Sequence, residues 1–552
     1  MITQTSRVLG LSCLLSALAL ATACSTNDAE SKFRSTYATS VTIGSAGSDG
    51  SDGSDGSDDG GQTCEPAQSF DVEARRSLFE TNEDVLASFS MQEVLTALSV
   101  NAGIAANPTA LHDQLMDTFS EAPGAGTGAH CDDGVDFNGG PGLNGYPLQC
   151  PRGEGQQVGN LDEWFPIAAV NRFDLAPSDG ANCGEARLVF ANNASIGGSR
   201  NYVIFEAKIP NPTPGCGISA CAPVQEFWAA LSENDNPFKR GEALRSAFLD
   251  GNPALEKAGF GPFVTSSAFG FGAGQIRTNS FNTFPWTLRE FKSVAVFLKG
   301  SVDSAMADGG GLPQSFIRIV PVPVAANPFG QLWNENSSLP ESKLCFDAIV
   351  GTVEHLMVND VNLMGVSMPV ECLAAESPDN GDMNYPSHLV ADGKLEGAID
   401  QRIQELEPGS ELRAVHIARR ALFAGGCMGC HRQSNFHPNN DLGNGETAPM
   451  SLDFVHTSEL AHEDCGDGSN DCFEISDALK DRFLPHRKAV MDAFLNDGPC
   501  CDPGDVIEPA INPDPPIDSD SLDVKSMLEA EQAANALMSP VTIAGQPTTR
   551  AH

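Results

Sequence analysis

Residues 164–173 read WFPIAAVNRF, residues 186–191 ARLVFA, and residues 201–208 NYVIFEAK. These runs are rich in Val, Ile, Phe and Ala and are bounded by Gly, Pro or Asn, the pattern of β-strands. Gln275 to Phe281, Thr287 to Leu298 and Ser315 to Val324 read the same way. Around them, Val72 to Leu98, Val224 to Leu231, Gly241 to Leu249 and Lys343 to Val358 carry apolar residues at helical spacing. The mixture predicts an α+β domain over residues 64–405.

The chain has 552 residues, and 41% of them are hydrophobic, enough to bury a sizeable core. Lys and Arg number 32 against 73 Asp and Glu, a formal charge of −41. A nucleic-acid partner is excluded on that balance, because a phosphate backbone needs a basic stripe. The 54 Gly and 36 Pro predict many turns and irregular connections. No phosphate loop, dinucleotide fingerprint, G-x-S-x-G or H-E-x-x-H occurs.

At the N-terminus, Arg7 is the only charge before an apolar run from Val8 to Ala21, followed by Ala21-Thr22-Ala23-Cys24. This has the parts of an export signal and is too short for an ordinary membrane span. Small residues directly before a Cys resemble the lipobox of bacterial lipoproteins, here with Ala21 where Leu is usual. The resemblance implies a signal peptide over 1–23 and lipidation of Cys24. The expected location is the cell envelope, outer membrane or periplasm-facing, with the lipid as the membrane contact. Residues 44–62, GSAGSDGSDGSDGSDDGGQ, read as a solvated tether within 24–63. The stretch 503–552 is acidic and Pro-rich and reads as largely disordered, with one short amphipathic helix expected from Ser521 to Met538.

There are 16 cysteines. Setting aside Cys13, Cys24, Cys427 and Cys430 leaves an even remainder, which in an exported chain reads as disulfides. Short separations suggest Cys216–Cys221, Cys465–Cys472, Cys131–Cys150 and Cys345–Cys372.

Cys427-Met428-Gly429-Cys430-His431 is C-x-x-C-H, the attachment pattern of c-type haem. Two thiols three positions apart reach both vinyl groups of one porphyrin, and the adjacent His is held under the iron. At this composition the pattern is expected by chance on the order of 0.01 times. Upstream, Leu412, Val415, Ala418 and Leu422 form one helical stripe, and Gly425-Gly426 is expected to stop that helix.

A helix leading into C-x-x-C-H resembles the opening of class I cytochromes c. The resemblance implies a small, mainly helical haem segment over 406–502. Cys427 and Cys430 would hold one covalent haem c, and His431 would be the proximal ligand. Downstream, His456 in a strand-like run from Leu452, then Met450 after Pro449, then His462 are the candidates for the sixth iron position. His437, His486 and Met491 read as less apt. Arg419, Arg420 and Arg432 are candidates to meet haem propionates.

Three other readings of the motif compete: a zinc site completed by His437, a redox disulfide, and a plain structural disulfide. The phrases Asn171 to Glu185, Gly274 to Asn279 and Pro285 to Phe291 resemble stretches of uncharacterised exported bacterial proteins that also end in C-x-x-C-H. Within them, Arg172, Asp174, Glu185, Arg277 and Arg289 read either as a polar binding site or, preferably, as buried ion pairs. The function expected is electron transfer to a redox partner protein rather than turnover. A haem-dependent peroxidase or oxidoreductase, and a haem-free binding or structural lipoprotein, are the alternatives.

Overall fold

One antiparallel sheet organises the molecule. The computed structural model describes residues 70–116, 134–150, 160–192, 200–280, 285–296 and 316–496. All of these belong to the unit Gln62–His552. The strands are β1 (Phe79–Glu80), β2 (Trp164–Arg172), β3 (Asn182–Asn192), β4 (Asn201–Pro210), β5 (Gln275–Ser280), β6 (Thr287–Val296), β7 (Phe316–Val322) and β8 (Ser377–Pro378). They lie in the order β1-β2-β3-β4-β5-β6-β8, with β7 sharing the outer edge of β6. The six strands expected from the sequence all form, and together they make the body of this sheet. The mixed helix-and-sheet class expected for the chain is therefore present.

The strands are covered on both faces. In β4 only Ile204, Lys208 and the terminal Pro210 escape full burial. That is why the sequence shows continuous apolar runs there rather than strict alternation. Phe190 and Phe205 meet edge to face beneath the sheet, with ring centroids 6.0 Å apart. The helices that pack around it include α1 (Met91–Val100), α2 (Pro108–Met116), α3 (Ala222–Ala230), α4 (Pro237–Arg245), α5 (Ser342–Gly351), α6 (Lys394–Leu406), α7 (Ala414–Ala424), α8 (Cys427–His431) and α9 (Leu484–Asn496).

The longest expected helix does not form as a unit, and Lys343 to Val358 is also divided, into Ser342–Gly351 and Val353–Leu356. Val72 to Leu98 is broken into Ala74–Ser77, β1, Glu83–Leu86 and α1. Local caps explain the breaks. The Asn82 side chain accepts from the Val85 amide, and the Ser90 side chain accepts from the Glu93 amide, so each starts a new helix.

The C-terminal residues lie in the same hydrophobic core as the sheet. Ile399 and Ile403 of α6, Ile417 and Ala421 of α7, and Met491 of α9 join Leu188 and Phe205 in one buried cluster. Beyond α8, a hairpin of β9 (Thr457–Glu463) and β10 (Cys472–Ile475) is anchored at several points. Arg200 makes two 2.7 Å bonds to Glu459, and Tyr202 of β4 hydrogen-bonds the same carboxylate. Arg75 reaches Glu463 at 2.6 Å.

Three disulfides are defined: Cys183–Cys221, Cys345–Cys372 and Cys465–Cys472. The last two agree with the short separations in the sequence. The expected Cys216–Cys221 bond does not form, because β3 carries Cys183 to the start of α3, where it takes Cys221. Cys150 and Cys216 are disulfide-bonded as well. Cys131 and Cys24 lie outside the described residues, as do the signal, the tether and the tail. Among the described residues no helix is long and apolar enough to cross a membrane.

Candidate functional site: a cleft between the sheet and the C-x-x-C-H helix

Helix α7 buries Ile417, Ala418, Ala421 and Leu422 and points its C-terminus at the motif. The short helix α8 then doubles back against it. Glycines permit this contact. A Cβ on Gly429 would lie 1.7 Å from the Leu422 carbonyl oxygen, and one on Gly425 would lie 2.3 Å from that of Ala326. Gly425, expected to stop the helix, therefore also lets a neighbouring loop approach, and Gly429 lets the two helices touch.

Within α8, Cys427 and Cys430 are buried, at 2% and 1% exposure. They are free thiols, whereas the other described cysteines are disulfide-bonded. Burial pushes the Cys427 thiol up to about 11, with Arg277 acting in the opposite direction. Burial also raises Cys430, and Cys427 beside it adds to the effect. Both are uncharged at neutral pH. A redox disulfide catalyst that rests as a thiolate needs the reverse shift. Among the described residues, no three His, Cys, Asp or Glu side chains converge to hold a bare metal ion. The zinc arrangement weighed from the sequence therefore lacks its ligand set, and His437 is exposed.

His431 follows Cys430 and is held from one side only. Its Nδ1 lies 3.1 Å from the Phe454 carbonyl oxygen. That contact assigns the proton to Nδ1 and leaves Nε2 as a lone pair. Burial lowers the ring to about 4, although the Phe454 carbonyl favours the charged form. The imidazole is thus neutral and available as a ligand. The segment that supplies the carbonyl is unusual. The sequence reads Leu452 to His456 as strand-like, yet it is a tight irregular turn with Asp453 at φ 58° and Phe454 at φ 79°. The Phe454 amide donates to the His431 carbonyl at 2.9 Å, so the turn and α8 clasp each other. Phe454 also packs on Trp286, with ring centroids 5.3 Å apart.

Cys427 and His431 line a cleft of about 830 Å³ empty volume, counting the part open to solvent, while Cys430 is packed in the main core outside that lining. One wall is the sheet: Ile167 and Arg172 of β2, Arg187 and Val189 of β3, Tyr202, Ile204 and Glu206 of β4, Arg277 and Asn279 of β5, and Leu288 of β6. The other wall holds Cys427, His431, His456, Leu479, Phe483 and Arg487.

Strand register builds a charged row across the first wall. Arg187 stands opposite Glu206, and Arg277 opposite Glu290. Arg187 lies 2.9 Å from Glu206, and Arg277 lies 3.4 Å from Glu206 and 3.2 Å from Glu290. Burial alone would raise the Glu206 carboxyl, but Arg187 and Arg277 outweigh it and hold the group below its ordinary value. At the end of the row, Arg172 makes two 2.9 Å bonds to Asp174. Two buried polar atoms of the cleft residues have no hydrogen-bond partner, Nη1 of Arg487 and Oδ1 of Asn279.

No protein-family model matches the chain, and neither a curated protein nor a solved structure matches it. The site therefore has to be read from its own geometry.

His456 lines the cleft, with Nδ1 2.8 Å from Ser476 Oγ and Nε2 3.3 Å from Cys430 Sγ. Its ring centroid is 4.6 Å from that of His431. Met450 is 53% exposed and does not line the cleft. His462 bonds Glu83 at 2.7 Å, away from the motif. Met491 is fully buried in the core, near Asn171.

The arginines nearest the motif in sequence have other partners. Arg420 donates to the carbonyls of Leu442, Leu356 and Val358. Arg419 reaches Asp441, and Arg432 pairs with Asp453 while stacking on Phe436 and Phe454. Of the polar residues singled out around the strands, Arg289 pairs with Glu376 at 3.0 Å. Arg172 and Arg277 are both buried ion-pair members and cleft residues, so the two readings of them merge. Arg187, Glu206 and Arg487 were not singled out from sequence. Arg187 and Glu206 lie in strands that the sequence marks, but the pairing that sets them opposite each other and near Arg487 of α9 is not legible there.

Proposed function

We propose that this protein is an exported, lipid-anchored cytochrome-like carrier that holds one covalent haem c in the cleft and passes single electrons through it. The observation that carries the reading is the pair of free, buried thiols on α8, beside a neutral His431 whose Nδ1 is already occupied by Phe454.

The residues fit the group. Neutral buried thiols suit uncharged thioethers, so Cys427 and Cys430 would be the attachment points. His431 Nε2 would hold the iron, with the ring oriented by the Phe454 carbonyl. The orphaned Nη1 of Arg487 offers a partner to an anionic edge. His456 is the candidate we retain as a further iron ligand, because it lines the cleft, with its ring 4.6 Å from that of His431, and Met450 does not. Bound haem iron supplies a one-electron couple, and a lone centre of that kind favours a carrier over a two-electron catalyst. The charge of −41 favours a basic redox partner, by steering during encounter.

The test is a spectrum of the chain exported from a host with cytochrome c maturation, first air-oxidised and then dithionite-reduced, together with an intact mass. A Soret band, sharp α and β bands on reduction, and the mass of one haem are expected. Cys427→Ala with Cys430→Ala should remove the covalent mass. His431→Ala should alter the reduced bands while leaving the thioethers. A folded, colourless product of unmodified mass overturns the proposal and leaves a disulfide-stapled binding lipoprotein.

A further inference from the structure

We infer that Arg487 is a carboxylate-binding residue of the cleft, placed to pair with an ionised propionate of the porphyrin; this rests on the haem reading above. A buried guanidinium needs an anion and filled hydrogen bonds, since its desolvation is otherwise uncompensated. Three of the four cleft arginines have both. Arg172 is closed by two bonds to Asp174, Arg187 by Glu185 and Glu206, and Arg277 by Glu206 and Glu290.

Arg487 is the exception. Its side chain is 6% exposed, its nearest carboxylate is Asp174 at 3.8 Å through Nε, and that carboxylate already serves Arg172. Its Nη1 meets no acceptor among the described residues. The Phe483 ring centroid lies 5.9 Å from its guanidinium carbon. Burial disfavours its charge most, and Arg172 and Arg187 act the same way while Asp174 opposes them. A ligand bearing carboxylates supplies what the protein does not. A porphyrin with two propionates is such a ligand, and Cys427 and His431, which would help hold it, line the same cleft as Arg487.

The test uses the sign of a stability change. In the full exported chain made without haem attachment, Arg487→Met removes an unsatisfied buried charge and should raise Tm by about 2–4 °C. In the haem-loaded protein, covalent or reconstituted with haemin, the same substitution breaks a made pair and should lower Tm. Shifts of one sign in both forms would show a merely structural role and overturn the inference. A second arm titrates the haem-free chain with haemin and with haemin dimethyl ester, followed by tryptophan fluorescence. The ester should bind roughly tenfold weaker or worse, and Arg487→Met should erase that difference. Equal binding of acid and ester, or binding of neither, overturns the inference. Stabilisation by succinate equal to that by haemin would assign the site to free carboxylates instead, and would also overturn it. Covalent attachment is read separately by mass. Haemin binding with ester discrimination but no covalent product would sink the c-type reading and leave this one standing.

Discussion

Phe454 has the positive φ of a glycine and a half-buried ring packed against a buried cluster. At φ 79° its Cβ is crowded against its own backbone, a conformation that costs about 1–2 kcal/mol for an L-residue. Its ring against Trp286 offsets that cost, and its carbonyl holds His431. The usual substitution order should therefore invert here. Phe454→Ala loses the ring and keeps the strain, whereas Phe454→Gly loses the ring and relieves the strain. Urea midpoints should place the Gly variant above the Ala variant by about 1 kcal/mol. An Ala variant as stable as the Gly variant or more so would mean that the turn carries no such strain. The motif residues Cys427, Cys430 and His431 were legible from sequence because their spacing is itself the signal. Phe454 was not legible, because nothing in the sequence marks a bulky residue at positive φ. Alternating apolar residues made the segment read as strand.

Among elements, the contact of α7 with α8 determines where the thiols stand. Gly429, the third residue of the motif, has no room for a Cβ beside Leu422. Gly429→Ala should push α8 off α7 and destabilise the protein by about 1–3 kcal/mol, as overpacking does. The yield of covalent haem after maturation should fall even though both cysteines remain. Normal yield together with an unchanged unfolding midpoint would refute this account of the glycine. The strands were readable because burial on both faces leaves dense Val, Ile and Phe runs such as Val203 to Phe205. The stretch from Val72 was misread because Asn82 and Ser90 act as caps inside an apolar periodicity. The partner of Cys221 was equally hidden, since a disulfide across a strand and a helix start follows from topology and not from spacing.

Over the molecule as a whole, buried ionisable groups couple the fold to pH. His112 on α2 is 5% exposed, packs edge-on to Trp164, and has an unpartnered Nε2. Burial lowers it from 6.5 to about 4. Between those values the unfolded chain binds a proton that the folded chain refuses. The stability is therefore intact above pH 6.5 and declines as pH falls towards 4. A full shift of this size corresponds to at most about 3 kcal/mol. Denaturant midpoints of the haem-free protein should drop between pH 7 and 4, and His112→Leu should remove a distinct part of that drop. Identical pH profiles for the two proteins would rule out His112 as a contributor.

The burial of the two thiols also sets an order of events in manufacture. In the finished fold Cys427 and Cys430 sit at 2% and 1% exposure behind the sheet. On the proposed reading, an enzyme that joins a porphyrin to them must reach them while this part of the chain is still open. Loading therefore has a deadline set by the folding rate, and a molecule that closes empty is sealed off from its assembly line until it unfolds again.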